Sequence, residues 1–139
     1  MLNQIKELIN DNKYSCVIVK NDELIYAVSG RGIKPLLTFY LNNKEEMVGA
    51  FLADKVIGKA AALIAVDGRI TSVYANMMSK SALELLKKNN IQVEYNILVN
   101  NILNRDKTDI CFIEKAVMHC EDIEQGISNI INTLKQFEK

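Results

Sequence analysis

The stretch AFLADKVIGKAAAL, residues 50–63, decides how the centre of this 139-residue chain is interpreted, because it places two lysines and a glycine in an apolar run. The run suits a helix packed on several sides, and Asp54 is a residue type that often caps a helix N-terminus. Lys55 and Lys59 are four residues apart, so in such a helix they share one side of the first two turns. Gly58 costs about 1 kcal/mol relative to alanine inside a helix, which indicates that a strand or a ligand comes close to it.

Helix electrostatics leaves two interpretations of the lysine pair. The partial positive charge at a helix N-terminus disfavours a nearby cation by roughly 0.3 to 1 kcal/mol unless an anion lies beside it. A bound phosphate or carboxylate would therefore explain Lys55 and Lys59 as part of an anion site. Alternatively, both side chains extend into water from the exposed end of a core helix.

Composition limits the classes of protein to which the chain can belong. With 139 residues, of which 49% are hydrophobic, residues 1–139 suit a single domain with its own core. Seventeen acidic residues balance 17 basic ones, so we expect neither a nucleic-acid polymer nor a membrane as a partner. The apolar runs are shorter than the roughly 18 residues of a transmembrane helix. Three cysteines without paired spacing are typical of reduced thiols, so we predict a cytoplasmic protein.

The first third of the chain predicts a helix followed by an antiparallel pair of strands. A short amphipathic helix opens the chain, and residues 15–20 and 23–29 are rich in β-branched and apolar residues. The Asn-Asp pair between them is typical of a hairpin turn. A helix then begins with Pro35 in its first turn and ends at the asparagine pair 42–43.

The remainder of the chain predicts parallel crossover units. Strands at 69–75 and 91–98 flank a helix that Ser79 or Ser81 can cap, an alternation typical of a layered parallel sheet. A polar loop and further helices follow. We therefore predict an α/β fold with three α/β/α layers, in which helices flank a mixed sheet and extra helices lie at the C-terminus.

The final helix carries a narrow apolar stripe that must be covered. Fewer than three heptads is short for a coiled coil, so the stripe packs on the protein's own sheet or contacts a second copy of the chain. A homodimer formed through this helix or through an exposed strand edge therefore stays open. The stripe consists of Ile123, Ile127, Ile130, Leu134 and Phe137.

Three segments of the sequence resemble a small prokaryotic family of unknown function that has a cytidine deaminase-like fold. They are GIKPLL at 32–37, ADKVIGKAAAL at 53–63, and Asn104-Arg105 with Cys111 and Glu114. The family's last motif reads Cys-Pro-Met-Glu, where this chain has Cys-Phe-Ile-Glu. The resemblance implies a cytidine deaminase-like mixed sheet.

The residues that hold zinc in working deaminases have no counterpart in this sequence. Those enzymes carry His-x-Glu at the start of one helix and Cys-x-x-Cys at the start of the next. Here the matching positions are Gly-Lys-Ala at 58–60 and Ser-Lys-Ser-Ala at 79–82. The only histidine, His119, stands beside Cys120, and one histidine with scattered cysteines is a poor tetrahedral zinc set. We expect no metal, no other cofactor and no zinc-dependent deamination.

Two further places could carry chemistry. Asn104 and Arg105 stand in a polar run whose donors could clamp a phosphate or could simply face solvent. Cys111 is close to a predicted helix N-terminus, where a thiol pKa can fall, and Glu114 follows one turn later. These two residues could therefore form a catalytic pair, or the cysteine could be buried and inert.

Three functions follow as hypotheses. In the first, Lys55, Lys59 and Arg105 converge at the C-terminal edge of the sheet and bind a small anionic metabolite or nucleotide. Asp54 would then hold the helix start, and Asn104 would belong to the same ligand clamp. The second is a non-catalytic regulatory or interaction module that acts as a homodimer. The third is a metal-free enzyme that uses the cysteine described above.

Overall fold

A computed structural model of the protein describes residues 2–137 and contains five strands and six helices within them. Met1, Glu138 and Lys139, which belong to the predicted domain, lie outside the described residues, as does the side chain of Phe137. In chain order the elements are α1 Leu2–Asn10, β1 Cys16–Lys20, β2 Glu23–Val28, α2 Lys34–Met47, β3 Phe51–Ile57, α3 Lys59–Asp67, β4 Ser72–Ser79, α4 Lys80–Lys88, β5 Gln92–Val99, α5 Phe112–Val117 and α6 Ile123–Phe137.

The strands form one mixed sheet in the order β2-β1-β3-β4-β5. β1 is antiparallel to β2 and β3, whereas β3, β4 and β5 run parallel and are joined by α3 and α4. α1 covers one face of the sheet through Ile5 and Ile9. The larger core lies on the other face, beneath α2, α3 and α4. The predicted three-layer α/β/α fold is therefore confirmed. No helix among the described residues is long and apolar enough to cross a membrane.

The central stretch 50–63 is a strand followed by a helix, so the prediction that the lysine-bearing helix begins at Asp54 is wrong. β3 occupies Phe51–Ile57, the chain turns at Gly58, and α3 begins at Lys59. A parallel strand that is buried on both faces has a near-continuous apolar sequence, which helical periodicity alone does not distinguish from a buried helix. Asp54 lies inside β3 and therefore does not cap α3, and Lys55 does not share a helix face with Lys59.

Several boundaries also differ from the prediction. The hairpin turn is confirmed, because Asn21 and Asp22 both have positive φ angles and join β1 to β2. The helix predicted to end at 42–43 continues to Met47, with a kink at Asn43, where φ is −141° and ψ is 41°. The strand predicted at 69–75 lies at Ser72–Ser79. Residue type therefore identified these elements better than it identified their ends.

The apolar stripe of α6 is covered by helices of the same chain. Ile127 and Ile130 are buried, and Ile123 and Leu134 pack against the same core. The helices that α6 contacts most extensively are α3 and α5. The intramolecular interpretation of this stripe is therefore correct, although the surface beneath it is helical and not the sheet.

Candidate functional site

The two helix starts that would hold zinc in a deaminase meet at one edge of the sheet. α3 begins directly after β3, and α4 begins directly after β4. β3 and β4 are parallel neighbours, so their carboxyl ends lie at the same edge. This is the edge at which open α/β sheets bind their ligands.

The first turn of α3 is capped by a carboxylate from a distant part of the chain. Glu114 Oε1 accepts a hydrogen bond from the backbone N–H of Lys59 at 2.7 Å, and its Oε2 accepts one from Ala60 at 3.0 Å. A Cβ atom at Gly58 would collide with this carboxylate. The close approach that the glycine predicted is therefore made by the protein's own side chain.

Burial disfavours the charged form of Glu114, and neighbouring groups partly stabilise it. Burial raises the pKa of the Glu114 carboxyl, whereas the two backbone N–H groups and the nearby Lys59 charge lower it. The helix macrodipole of α3 adds a favourable interaction with a carboxylate at this position. Glu114 thus acts as an N-terminal anion for α3, a role that one of the two sequence-based interpretations gave to an external ligand.

Lys59 joins the start of α3 to the chain that leaves α5. Its ammonium group donates to the backbone carbonyl of Met118 at 3.2 Å and to that of Cys120 at 2.8 Å. Lys59 and Glu114 therefore connect α3 and the α5 region in both directions. The Glu114 side chain bonds the backbone of α3, and the Lys59 side chain bonds the backbone that follows α5. The predicted use of Lys59 in ligand binding would compete with these two hydrogen bonds.

The remaining predicted ligand residues lie on separate elements. Lys55 is half-buried near the end of β3, and Arg105 is exposed in the turn that precedes α5. Asn104 closes that turn, since it accepts a hydrogen bond from the Thr108 N–H at 3.0 Å and donates to the Thr108 hydroxyl at 3.2 Å. Their convergence on one ligand stays a prediction.

Cys111 is the N-cap residue of α5, as the helix-terminus argument required. Its side chain is half-buried and packs against the larger core. Glu114 lies one turn later, but both of its oxygens bind the backbone of α3. The Glu114 carboxylate therefore binds α3 and not the Cys111 thiol.

Asp54 forms a buried pair with Cys16 that the sequence did not predict. The two residues lie opposite each other on β3 and β1, and Asp54 is only 7% exposed. Asp54 Oδ1 accepts a hydrogen bond from the Val56 N–H at 3.3 Å, and the Cys16 thiol donates to the Asp54 carboxyl. Burial raises the pKa of Asp54 to about 8 and, with help from that carboxyl, raises the pKa of Cys16 as well. Only the strand register brings these residues together, so neither motif nor spacing signalled the pair.

Two surface cavities lie away from the predicted site residues. One cavity of about 360 Å³ lies between α2 and α6, and another of about 280 Å³ lies near Arg69 and Asn89. In the first, the Tyr40 hydroxyl donates to Asp67 at 2.5 Å, and Lys44 pairs with the same carboxylate at 2.8 Å. Neither cavity is lined by the predicted ligand residues.

The starts of α3 and α4 carry Gly-Lys-Ala and Ser-Lys-Ser-Ala at the positions of the two zinc-binding motifs. Among residues 2–137 no group of three or more histidine, cysteine, aspartate and glutamate side chains could hold a metal ion. Ser79 instead caps α4, and its hydroxyl accepts a hydrogen bond from the Ala82 N–H at 3.2 Å. His119 is exposed, and the neighbouring Cys120 sulfur accepts a hydrogen bond from Asn129 at 3.2 Å.

Comparison with known proteins agrees with this geometry. The family model of the domain of unknown function DUF1893 matches residues 4–138. A solved structure of a DUF1893 family protein from Thermotoga maritima is similar with a TM-score of 0.86 and 23% identity, over 95% of this chain and 88% of that one. Acinetobacter baumannii RibD, form 1, is similar with a TM-score of 0.50 and 21% identity, over 68% of this chain and 33% of that one. No curated protein matches the sequence.

These likenesses differ in what they establish. The identity to each solved structure is below 25%, so both show the fold alone. This chain also spans about a third of the RibD chain, so only part of that protein is comparable. The family match, in contrast, extends over nearly the whole sequence. This protein therefore belongs to the DUF1893 family and has its deaminase-like α/β/α fold without the zinc ligands of working deaminases.

Proposed function

We propose that this DUF1893 protein is a non-catalytic interaction module that acts as a homodimer. The contact between Glu114 and the start of α3 supports the non-catalytic part of the proposal, and the homodimer is its separately tested part. In zinc deaminases this helix start presents the histidine and glutamate of the active centre. Here it is occupied by a carboxylate of the same chain, which leaves the position to a packing role.

The surrounding contacts support that interpretation. An anionic ligand at the start of α3 would have to displace Glu114, which is covalently part of the chain and already uses both oxygens. It would also have to draw Lys59 away from the carbonyls of Met118 and Cys120. Ligand binding at this point therefore costs contacts between α3 and α5, whereas an interaction module keeps them.

Native mass spectrometry and light scattering of the full chain test the proposal. We expect a mass of twice the 15.7 kDa chain that persists on dilution and does not change when inorganic phosphate or nucleotides are added. We expect no stoichiometric zinc. A monomer at every concentration, or zinc that is retained with deaminase activity on cytidine, would contradict the proposal.

Binding of a small anionic or nucleotide-like ligand is the second candidate function. Its support is the positive charge of Lys55 and Arg105, one at the carboxyl end of β3 and the other in the turn before α5. Titration calorimetry with inorganic phosphate and with nucleoside monophosphates tests it. Lys55→Met and Arg105→Met should each weaken binding, whereas Lys13→Met, an exposed lysine before β1, serves as the control. Lys59→Ala is less useful, because its loss also removes two structural hydrogen bonds.

A metal-free enzyme that uses Cys111 is the third candidate and has less support, since Glu114 binds α3 and not the thiol. Alkylation followed by mass mapping tests it. The half-buried Cys120 and the fully buried Cys16 give two internal references. Modification of Cys111 well ahead of Cys120 would favour this candidate, and modification at the rate of Cys120 or slower would remove it.

A further inference from the structure

We propose that the cavity between α2 and α6 binds a small aliphatic amine, that is, a primary ammonium group carried on a short alkyl chain. This inference goes beyond the proposed homodimer and does not depend on it. The cavity has a volume of about 360 Å³, which lies within the range of small-molecule sites in proteins. Its walls come from α2, from the last residue of α3 and from one side of α6.

The cavity already holds one alkylammonium group, which is that of Lys44. The Lys44 Nζ lies 2.8 Å from Asp67 Oδ2 and 5.4 Å from the centroid of the Tyr40 ring. The Tyr40 hydroxyl donates to the same Asp67 oxygen at 2.5 Å. A carboxylate and an aromatic face are both groups that attract an ammonium ion. The wall formed by α2 and the end of α3 therefore has the chemistry of a site for an organic cation.

A second carboxylate in the cavity lacks such a cation. Glu124 of α6 lines the cavity, and among residues 2–137 its side chain forms neither an ion pair nor a hydrogen bond. The charged lining consists of one cation, Lys44, and two anions, Asp67 and Glu124. Arg69 also acts on Asp67, but its side chain lines the other cavity. The surplus negative charge favours a cationic ligand over an anionic one.

The α6 wall supplies an apolar surface beside Glu124. Ile127 and Ile131 both line the cavity and are four residues apart, so they lie on one side of α6. Ile127 is buried and Ile131 is half-buried, and both belong to the larger core or pack against it. An alkyl chain that covers this wall gains from the removal of apolar surface from water. An inorganic cation would gain nothing from it, so the lining favours an amine with an alkyl chain.

Titration of the full chain with n-butylammonium, followed by NMR of the backbone amides, tests the proposal. We expect saturable shifts confined to the parts of α2, α3 and α6 that line the cavity. Neutral n-butanol and anionic butyrate have similar alkyl chains and should bind at least about fivefold more weakly. Methylammonium should also bind more weakly than n-butylammonium, because each buried methylene tightens binding by up to about fourfold.

Two variants should change the affinity for n-butylammonium in opposite directions. Glu124→Gln keeps the shape of the side chain but removes its charge, and it should weaken binding by about fivefold. Lys44→Met removes the resident ammonium and leaves Asp67 uncompensated, so it should tighten binding by about fivefold. Glu121→Gln is the matched control, since Glu121 is exposed before α6 and does not line the cavity. This control should leave the affinity unchanged.

The same titrations give the results that would overturn the proposal. Circular dichroism of each variant establishes that it is folded. Shifts that do not saturate or that lie outside the cavity would overturn the inference, as would butyrate that binds as tightly as the amine. Equal losses from Glu124→Gln and Glu121→Gln would also overturn it, because the effect would then report overall charge. Weaker amine binding in Lys44→Met would contradict the assigned role of Asp67. None of these results alters the proposed homodimer, which the mass of the chain in solution tests separately.

Discussion

The helices α3 and α4 begin side by side at one edge of the sheet, but their N-termini are satisfied in different ways. α4 is capped by Ser79, whose hydroxyl accepts from an N–H three residues further on. α3 has a glycine at its N-cap position and is capped by Glu114, 54 residues away from Ala60 along the chain. The first cap is local, whereas the second joins two elements of tertiary structure.

This difference has consequences for both stability and sequence interpretation. Loss of a local cap affects one helix end, and such losses cost about 1 kcal/mol. Loss of the Glu114 contact leaves two backbone N–H groups without a partner and separates α3 from α5. The effects of substitution should therefore be larger at α3 than at α4.

Replacement of Gly58 by alanine should have the largest effect. The backbone at Gly58 has φ −100° and ψ −171°, which alanine adopts readily, so the loss combines two effects: the new Cβ displaces the Glu114 carboxylate from its two N–H partners, and alanine is a poorer N-cap residue than glycine. We expect the free energy of unfolding in urea to fall by about 3 kcal/mol. In a Glu114→Ala background the same substitution should cost much less. Equal costs in the two backgrounds would show that the glycine does not serve the carboxylate.

Replacement of Glu114 by alanine should come next. It leaves the N–H groups of Lys59 and Ala60 without their carboxylate, at a cost of about 2 kcal/mol. Urea denaturation measures the loss, with Glu84→Ala on the exposed face of α4 as a control that should be nearly neutral. A neutral Glu114→Ala would mean that the cap of α3 contributes little and that the contrast with α4 is unimportant.

The pH dependence of the stability of Asp54→Asn distinguishes a buried strand residue, which is what the structure shows, from a helix cap, which the sequence predicted. Burial raises the pKa of Asp54 from 3.8 to about 8, so between these values the folded chain holds a proton that the unfolded chain has lost. Asp54 therefore lowers stability progressively as pH rises from about 4 to about 8.

Asp54→Asn should accordingly become more stable relative to wild type by about 1 to 2 kcal/mol over that range, since relaxation and water entry reduce the full cost of a buried charge. Urea denaturation at several pH values measures this difference, and exposed Asp11→Asn is the control. A carboxylate that capped a helix would have a lowered pKa, and its removal would be increasingly destabilising as pH rises. The sign of the change thus distinguishes the two roles.

Replacement of Ser79 by alanine should have the smallest effect, about 1 kcal/mol in the free energy of unfolding, because it removes one local cap. Ser81→Ala should cost less, since Ser81 is exposed and its hydroxyl pairs with the Ser79 hydroxyl, while Ser79 is the residue that caps the backbone. Thermal unfolding of the two variants measures the difference. A larger loss from Ser81→Ala would reverse the assignment of the cap.

The predictions that succeeded depended on near neighbours in the chain. The hairpin at residues 21–22, the serine cap of α4 and the alternation of strands with helices were all visible in short windows of sequence. The main failure, the helix predicted across Asp54 and Lys55, has a physical cause: a strand buried on both faces is as apolar as a buried helix. Gly58 correctly predicted that another group packs closely against this position, but the sequence could not identify that group as Glu114.

By itself the sequence determined that this chain is a layered α/β protein whose two helix starts carry other residues than His-x-Glu and Cys-x-x-Cys, because residue types and periodicity depend on local chemistry. For Lys59 it left two interpretations open, a nearby anion or a side chain in water. Only the tertiary structure decided that a carboxylate, Glu114, lies at the start of α3, that Asp54 lies buried beside Cys16, and that the stripe of α6 packs on its own chain. Each of these contacts joins residues far apart along the chain, and their proximity is set by how the sheet and helices pack together.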